Sequence, residues 1–253
     1  MRRYLVSEIR RGILSRDFWL AVAIFLIAGF VNYYSNISSA GLSHVGGLTT
    51  FIHSTIMGYS IFSYIAPFIA GFPMGGDYIT RFTGGYINQE LLRIEKKTYV
   101  KTKIISIAIV GAMVFVISCI IFLVICLIMD SSISIRLLPM RYVSAYKHIY
   151  VRSLLLYCIM IILNSALFGA SYSLLTLGVS SWCPNRILTL AIVSVFYIGT
   201  GFLNGFNLFG IPILPCAAFV MLVSGGAAIK DHILVSVIGI VLFILGFRKD
   251  NVL

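Results

Sequence analysis

The chain has 253 residues, of which 60% are hydrophobic and only 11% are charged. A soluble domain is about 45–50% apolar and about 25% charged, so this composition excludes an ordinary soluble protein and indicates a membrane protein. The formal net charge of +11 would also fit nucleic-acid binding, but the sequence carries no DNA- or RNA-binding signature, and membrane topology explains the basic bias better.

The chain begins with a basic segment, residues 1–16, in which apolar and charged positions recur with helical spacing. Leu5, Val6, Ile9 and Ile13 share one face, and the arginines lie on the others. This pattern predicts an amphipathic helix that lies in the membrane interface. The apolar run that follows lacks the small-residue cleavage pattern of a signal peptide, so none is expected.

Six later segments are apolar enough to be membrane-spanning helices, although the first and the last are short for a crossing. They are Phe18–Tyr34, Ser54–Phe72, Ile104–Met129, Ser153–Leu177, Ile187–Phe209 and Ile233–Phe247. No long linker or internal repeat divides them, so residues 1–253 are predicted to form a single all-α transmembrane domain.

Residues 210–231 precede the last span, and their apolar part, Ile211–Gly226, is interrupted by Pro212, Pro215 and paired glycines. Such a short, broken stretch is typical of a re-entrant segment, whereas a crossing here would give seven spans. With six spans and the amino terminus in the cytoplasm, 14 of the 19 Lys and Arg residues lie on the cytoplasmic side. The positive-inside rule therefore places both termini in the cytoplasm and mildly prefers six spans to seven.

None of the six predicted spans contains Asp, Glu, Lys or Arg, the groups that ion-coupled transporters place in the membrane as relays. The pair Gly-Lys never occurs, which excludes a phosphate-binding loop of the GxxxxGK[ST] type. The histidines and cysteines show neither HExxH nor CxxC spacing, and no GxSxG is present. We therefore expect no enzyme and no metal site, and any ATP hydrolysis must belong to another chain.

A polar segment, residues 75–103, separates the second and third predicted spans and gathers much of the chain's charge. It carries a narrow apolar stripe of helical spacing, made of Ile87, Leu91, Ile94 and Thr98. A different face carries the charged residues Glu90, Arg93 and Lys97. Glu90 and Arg93 are three residues apart and able to pair. The segment thus predicts a short amphipathic helix beneath the membrane, seated either on a partner or on lipid alone.

This layout of an elbow-like helix, six spans, a cytoplasmic helical loop and a re-entrant segment resembles the ABC-2 type permeases, the membrane subunits of ATP-binding-cassette exporters. In residues, the resemblance is concentrated in Tyr64–Ile105, where an acidic residue, a glycine, a leucine-bearing helix, a basic-aromatic step and a lysine follow an apolar helix. The matching positions are Asp77, Gly84 or Gly85, Leu91-Leu92, Lys97-Tyr99 and Lys103. The chain departs from the commonest form of the motif at Arg93–Lys96, which replaces the family's Pro-x-Ser/Thr-Arg.

The resemblance implies that the helix around Asn88–Lys96 is a coupling helix, seated in a groove on a separate ATPase. The residues implied in this contact are Ile87, Asn88, Glu90, Leu91, Arg93, Ile94 and Lys97. ATP and Mg²⁺ would be bound by the partner ATPase, and this chain would hold no cofactor. The protein would then be a multi-pass protein of the bacterial plasma membrane.

The family works as pairs of six-span units, so the resemblance also implies a second permease, either an identical copy or a related chain. The translocation path would run between the two and be lined by Asn32, Tyr59, Tyr64, Asn204 and Asn207. A charge-free, aromatic-rich interior suits an amphipathic or hydrophobic cargo such as a peptide, an antibiotic or a lipid-like molecule. Two other interpretations stay open: a stand-alone channel or scaffold, and the substrate-binding membrane subunit of a vitamin importer.

Overall fold

The computed structural model describes residues 2–40, 46–56, 61–129, 147–183, 185–205 and 227–250, and all regular structure within these ranges is helical. The predicted all-α fold is therefore confirmed. In chain order the helices are α1 (Arg2–Ile13), α2 (Arg16–Ala40), α3 (Gly47–Ile56), α4 (Ile61–Thr83), α5 (Tyr86–Leu91), α6 (Lys96–Met129), α7 (Lys147–Arg152), α8 (Leu154–Ser180), α9 (Arg186–Gly205) and α10 (Ala227–Asp250).

Within the described ranges, four helices are long and apolar enough to cross a membrane. Their candidate spans are Arg16–Tyr34 in α2, Lys96–Met129 in α6, Leu154–Ser180 in α8 and Ile229–Phe247 in α10. They correspond to the first, third, fourth and sixth predicted spans. The fifth coincides with a shorter apolar helix, Arg186–Thr200 in α9. The chain therefore has the character of a multi-pass membrane protein, and the number six stays a prediction.

The polar segment 75–103 is shorter as a loop than the sequence predicts. Helix α4 continues to Thr83 and α6 begins at Lys96, so only residues 84–95 connect them. The helices extend past the apolar stretches because the charged residues on these extensions, Arg81 and Lys103, are buried in ion pairs. Likewise α10 begins at Ala227, within the stretch predicted to be re-entrant, and residues 211–226 lie outside the described residues.

A second difference concerns the predicted span Ser54–Phe72. Ser54 lies in α3, a helix that begins at Gly47 in the stretch between the first and second predicted spans, and residues 61–72 of the predicted span lie in α4. Phe51 and Ile52 of α3 are buried, and Gly47 lies so close to α6 that an added Cβ would be 2.6 Å from the carbonyl oxygen of Cys126. The sequence places α3 against the bundle through this small residue and two apolar ones.

Helix α8 is the centre of the bundle, and α4, α6, α9 and α10 all pack on it. It meets α6 where Gly169 faces Gly111, and it meets α10 where Gly178 faces Gly239. A Cβ added to Gly169 would be 2.4 Å from the carbonyl oxygen of Gly111, so the two backbones are in direct contact. Glycine permits such close helix approach in membrane proteins, where packing rather than water exclusion holds helices together. We call the α6–α8–α10 contact the glycine seam.

Candidate functional site: a buried charge cluster at one end of the bundle

A cluster of four charged side chains joins α1, α4, α5 and α6 at one end of the bundle. Its centre is Glu8, which is only 5% exposed. One carboxylate oxygen of Glu8 accepts hydrogen bonds from both terminal nitrogens of Arg81, each at 3.2 Å. The other oxygen accepts a short hydrogen bond from the ammonium group of Lys103, which is 1% exposed. Glu8 therefore ties the amino-terminal helix to two other helices.

The fourth member is Glu90, which binds the cluster to α5. Arg81 donates a hydrogen bond of 2.7 Å to one oxygen of Glu90, and the hydroxyl group of Tyr4 donates one of 3.3 Å to the other. Arg81 thus bridges two carboxylates with one planar guanidinium group, a geometry that lysine cannot reproduce. The two acids and two bases sum to zero charge, which is what a buried ionic group requires. We call Glu8, Arg81, Glu90 and Lys103 the charge cluster.

Burial sets the protonation behaviour of the outer members of the cluster. Desolvation raises the pKa of Glu90 above its usual 4.5, and the attraction of Lys103 only partly opposes it. The pKa of Tyr4 is also raised, chiefly by burial and by the negative charges of Glu8 and Glu90, so Tyr4 stays a hydrogen-bond donor at neutral pH. A low local dielectric strengthens each of these contacts and makes the loss of one partner costly.

The cluster also reaches the last helix. The ammonium group of Lys103 lies 5.7 Å from the ring centre of Tyr99, one turn earlier on α6. The ring of Tyr99 stacks on Phe247 of α10, with ring centres 5.8 Å apart and planes inclined by 22°. Because an ammonium group is attracted to an aromatic face, α10 joins the same end of the structure through this stack.

The segment between α4 and α6 is a turn, one short helix and a second turn. Gly85 adopts φ = +71°, a left-handed conformation that glycine accepts at no steric cost, and α5 follows it. The predicted helix around Asn88–Lys96 is thus divided: α5 ends at Leu91 and α6 begins at Lys96. Glu90 pairs with Arg81 of α4, not with Arg93 as the three-residue spacing suggests.

The apolar stripe of this segment packs on the chain's own core. Ile87 is buried, and Leu91 and Ile94 are half-buried against the same core cluster. Arg93 and Lys97 are exposed, and the side chain of Asn88 is not among those described. The outward face carries two large apolar side chains that the stripe does not include, Leu92 at 88% exposure and Tyr86 at 57%.

The five residues predicted to line a translocation path lie in different settings. Asn32 is buried in α2 and donates a 3.5 Å hydrogen bond to the carbonyl oxygen of Ser54 in α3. Tyr64 is exposed on α4. Asn204 lies in α9 without a described side chain, and Tyr59 and Asn207 lie outside the described residues. The hydrogen bond of Asn32 therefore joins α2 to α3, and a shared path remains a prediction.

The sequence analysis does not identify one polar group inside the bundle. The last helix begins before its apolar stretch, and the polar residues lie in this extra part. Asp231 and His232 lie on α10, both buried, within the candidate span Ile229–Phe247. The ring nitrogens of His232 lie 3.4 Å from the hydroxyl oxygen of Ser171 and 3.3 Å from the amide oxygen of Asn164, both on α8. Asp231 lies in α10 just before the predicted span Ile233–Phe247, and Lys103 lies in α6 just before the predicted span Ile104–Met129. Both ionisable residues are therefore buried at the ends of apolar helices.

A third polar contact joins α2, α4 and α9 near the charge cluster. Arg186, the first residue of α9, pairs with Asp17 of α2 at 2.9 Å and donates a hydrogen bond of 3.2 Å to the carbonyl oxygen of Phe72. Its guanidinium group lies 4.4 Å from the ring centre of Phe72. Each partner of the ion pair is about one-third exposed, so water screens this contact more than the buried cluster.

Searches of protein-family models, of curated proteins and of solved structures returned no match for this chain. Among the residues that the structure describes, no group of three or more His, Cys, Asp or Glu side chains is placed to hold a metal ion. The function must therefore be argued from the charge cluster and its surroundings.

Proposed function

We propose that this chain is the permease subunit of an ATP-driven exporter, coupled to a separate ATPase through residues 84–95. The observation that carries the proposal is the charge cluster. It fixes α5 to α1, α4 and α6 through Glu90, Arg81 and Glu8, so a force applied to α5 is passed to three helices at once. The ABC-2 resemblance of the sequence supports the same assignment.

The surface offered to the ATPase differs from the apolar stripe of the sequence. Since Ile87, Leu91 and Ile94 pack on the chain's own core, the available anchors are Leu92 and Tyr86. Exposed apolar side chains at a bend, flanked by the polar Gln89 and Arg93, fit a helix-in-groove or knob-in-pocket contact with a protein partner. Glu90 and Arg81 then hold the anchors in register from behind.

The decisive test is recovery of an ATPase with the tagged chain from its native membranes, with the partner identified by photolabelling with azido-ATP. We expect Leu92→Asp to reduce recovery at least tenfold, because placing a charge in an apolar anchor pocket commonly costs about 2 kcal/mol or more. Val6→Asp is the matched control, since Val6 is similarly apolar and exposed but lies on α1. It should leave recovery unchanged.

Two other results would each point to a different function. If no ATP-binding partner is recovered even with the wild-type chain, the stand-alone channel or scaffold is favoured. If Leu92→Asp and Val6→Asp both leave the ATPase bound, the outer face of the segment does not contact the ATPase and lies on lipid or in water. A vitamin-importer subunit would instead bind a small vitamin tightly in the absence of any ATPase. Cargo of an amphipathic or hydrophobic kind belongs to the proposal, since the membrane helices offer mainly apolar and aromatic surface.

A further inference from the structure

A cavity of about 590 Å³ opens at the same end of the bundle, between α1, α2, α4 and α9. Its lining includes Ser7, Arg10, Arg11, Leu14, Pro73 and Arg186. The volume is within the range of sites that hold small molecules or lipid headgroups, about 300–1,000 Å³. None of the predicted coupling or translocation residues lies in its wall, so the cavity needs an explanation of its own.

The position of the cavity coincides with the edge of the membrane-spanning region. Its wall includes Asp17 and Arg186, each within the first two residues of an apolar helix. The chain's two tryptophans, Trp19 and Trp182, lie at this same end and are each about half exposed. Tryptophan concentrates at the level of lipid headgroups, so the cavity lies at that level.

The charge of the cavity favours an anion. Its three arginines face two acids, and both acids are already engaged: Glu8 by Arg81 and Lys103, and Asp17 by Arg186. Arg11 lies 3.8 Å from Glu8, at the limit of an ion pair, and its side chain is half exposed. Arg10 is exposed and forms no ion pair with the described part of the chain. The guanidinium group of Arg10 therefore retains the capacity to bind an oxyanion in a planar, bidentate manner, and the charge of Arg11 lies beside it.

The rim of the cavity is apolar on the side that continues into the bilayer. Leu14 is 66% exposed at its edge, and Leu20 is about half exposed one turn into α2. An anionic headgroup held by Arg10 would place its acyl chains along these leucines, whereas a soluble phosphate compound has no apolar part that could contact them. We propose that this cavity is a binding site for the phosphate headgroup of an anionic phospholipid.

Binding of this lipid would fix α1 against α2 and α9 and would brace the charge cluster, because Glu8 shares one wall of the cavity with the arginines. The site is independent of the proposed transport function. It requires only that the apolar helices lie in a bilayer, and it would serve equally in a channel or an exporter.

The test uses the full chain, delipidated in detergent and titrated with dioleoyl phosphatidylglycerol or dioleoyl phosphatidylcholine, with bound lipids counted by native mass spectrometry. We expect one phosphatidylglycerol to bind at least tenfold more tightly than phosphatidylcholine. Arg10→Gln should weaken this first binding event about fivefold, since one basic residue near an anionic surface contributes about that much. Arg3→Gln removes the same charge from the same helix outside the cavity and should change the affinity less than twofold.

Two further measurements separate the site from general attraction and from soluble ligands. Ser7→Trp fills the cavity without changing its charge and should abolish the one-to-one complex, while glycerol 3-phosphate should compete only at a concentration at least a hundredfold higher. Equal effects of Arg10→Gln and Arg3→Gln would overturn the proposal in favour of surface attraction alone. Equal affinity for the two lipids, or equal affinity for glycerol 3-phosphate, would overturn it as well. If Ser7→Trp fails to fold, Arg10→Gln and Arg3→Gln still distinguish a specific site from general surface attraction.

Discussion

Two contacts only eight residues apart on α6 hold this helix to its neighbours by opposite means. At Lys103 the contact is ionic: a buried ammonium group meets the carboxylate of Glu8. At Gly111, about 12 Å further along the helix, it is purely steric, since the backbone lies directly against Gly169. The first contact depends on charge and can be altered by protons, ligands or partners, while the second depends on shape alone.

This difference assigns different roles to the two regions. The glycine seam packs α6, α8 and α10 into one unit, in which backbone lies against backbone with little free space between them. The charge cluster holds α1 and α5 to that unit by groups whose attraction repays a large desolvation cost only when every partner is present. In the exporter that we propose, the ATPase would act on the charged end, and the seam would carry the movement into the membrane.

The largest loss of stability is expected from a substitution at the centre of the charge cluster. Glu8→Gln leaves Lys103 buried without its carboxylate, and we expect the free energy of unfolding to fall by about 3–5 kcal/mol. The measurement is denaturant unfolding in mixed micelles. Adding Lys103→Met restores charge balance and should recover a large part of the loss.

The matched control for this experiment is Glu95→Gln, which removes the same charge from an exposed position on the neighbouring turn. It should change stability by less than about 0.5 kcal/mol. If Glu8→Gln and Glu95→Gln were equally mild, the cluster would contribute no more than a surface contact.

A smaller loss is expected when the glycine seam is overfilled. The added Cβ in Gly169→Ala would be 2.4 Å from the carbonyl oxygen of Gly111, so α6 and α8 must separate, at a cost of about 1–3 kcal/mol. Gly199→Ala on α9 serves as the control because nothing lies within 4 Å of its added Cβ, and alanine favours helix. Unfolding of the two variants side by side measures the difference, and an unchanged Gly169→Ala would show that the backbones are not in contact.

The partly exposed ion pair between Arg186 and Asp17 should contribute less to stability than the charge cluster or the glycine seam. Arg186→Gln removes the pair with Asp17 and the contact with the Phe72 ring, and we expect a loss of about 1 kcal/mol or less because water reaches both partners. Thermal unfolding followed by circular dichroism is sufficient to measure it. A loss of stability as large as that of Glu8→Gln would mean that solvent exposure does not weaken the Arg186–Asp17 pair relative to the buried charge cluster.

The mildest expected effect is the pH dependence that Glu90 contributes. Its folded pKa is raised above 4.5, so the folded state binds this proton more tightly than the unfolded chain does. The stability contributed by protonation is therefore fully present below pH 4.5 and is lost as pH rises through the folded pKa. Compared with Glu90→Gln, which cannot titrate, the wild-type chain should lose stability as the pH rises above 4.5. An equal slope for both proteins would contradict the raised pKa.

The sequence predicts the helical class and four of the spans well, because apolar runs of membrane length have few alternative structures. It places helix ends poorly. Lys103 and Asp231 were assigned outside the spans for being ionisable, yet both lie on buried helix faces where other helices supply partners. Hydropathy along one segment carries no information about side chains that come from another segment.

The candidate site shows the same limit. A helical wheel of the segment around Leu91 predicts an apolar stripe. The wheel does not show whether this stripe packs on a partner or on the chain's own core. Glu8 was overlooked because a single acid in a basic helix has no distinctive spacing. Its partners Arg81 and Lys103 are far away in sequence, and only the fold brings them together.

The separation of these partners has a consequence for the order of events during synthesis. Glu8 leaves the ribosome 73 residues before Arg81 and 95 residues before Lys103. At roughly 5–20 residues per second, α1 waits about 5–20 s for its last ionic partner. During that interval its carboxylate must stay hydrated at the membrane surface, so α1 reaches its final position only after α6 has been synthesised.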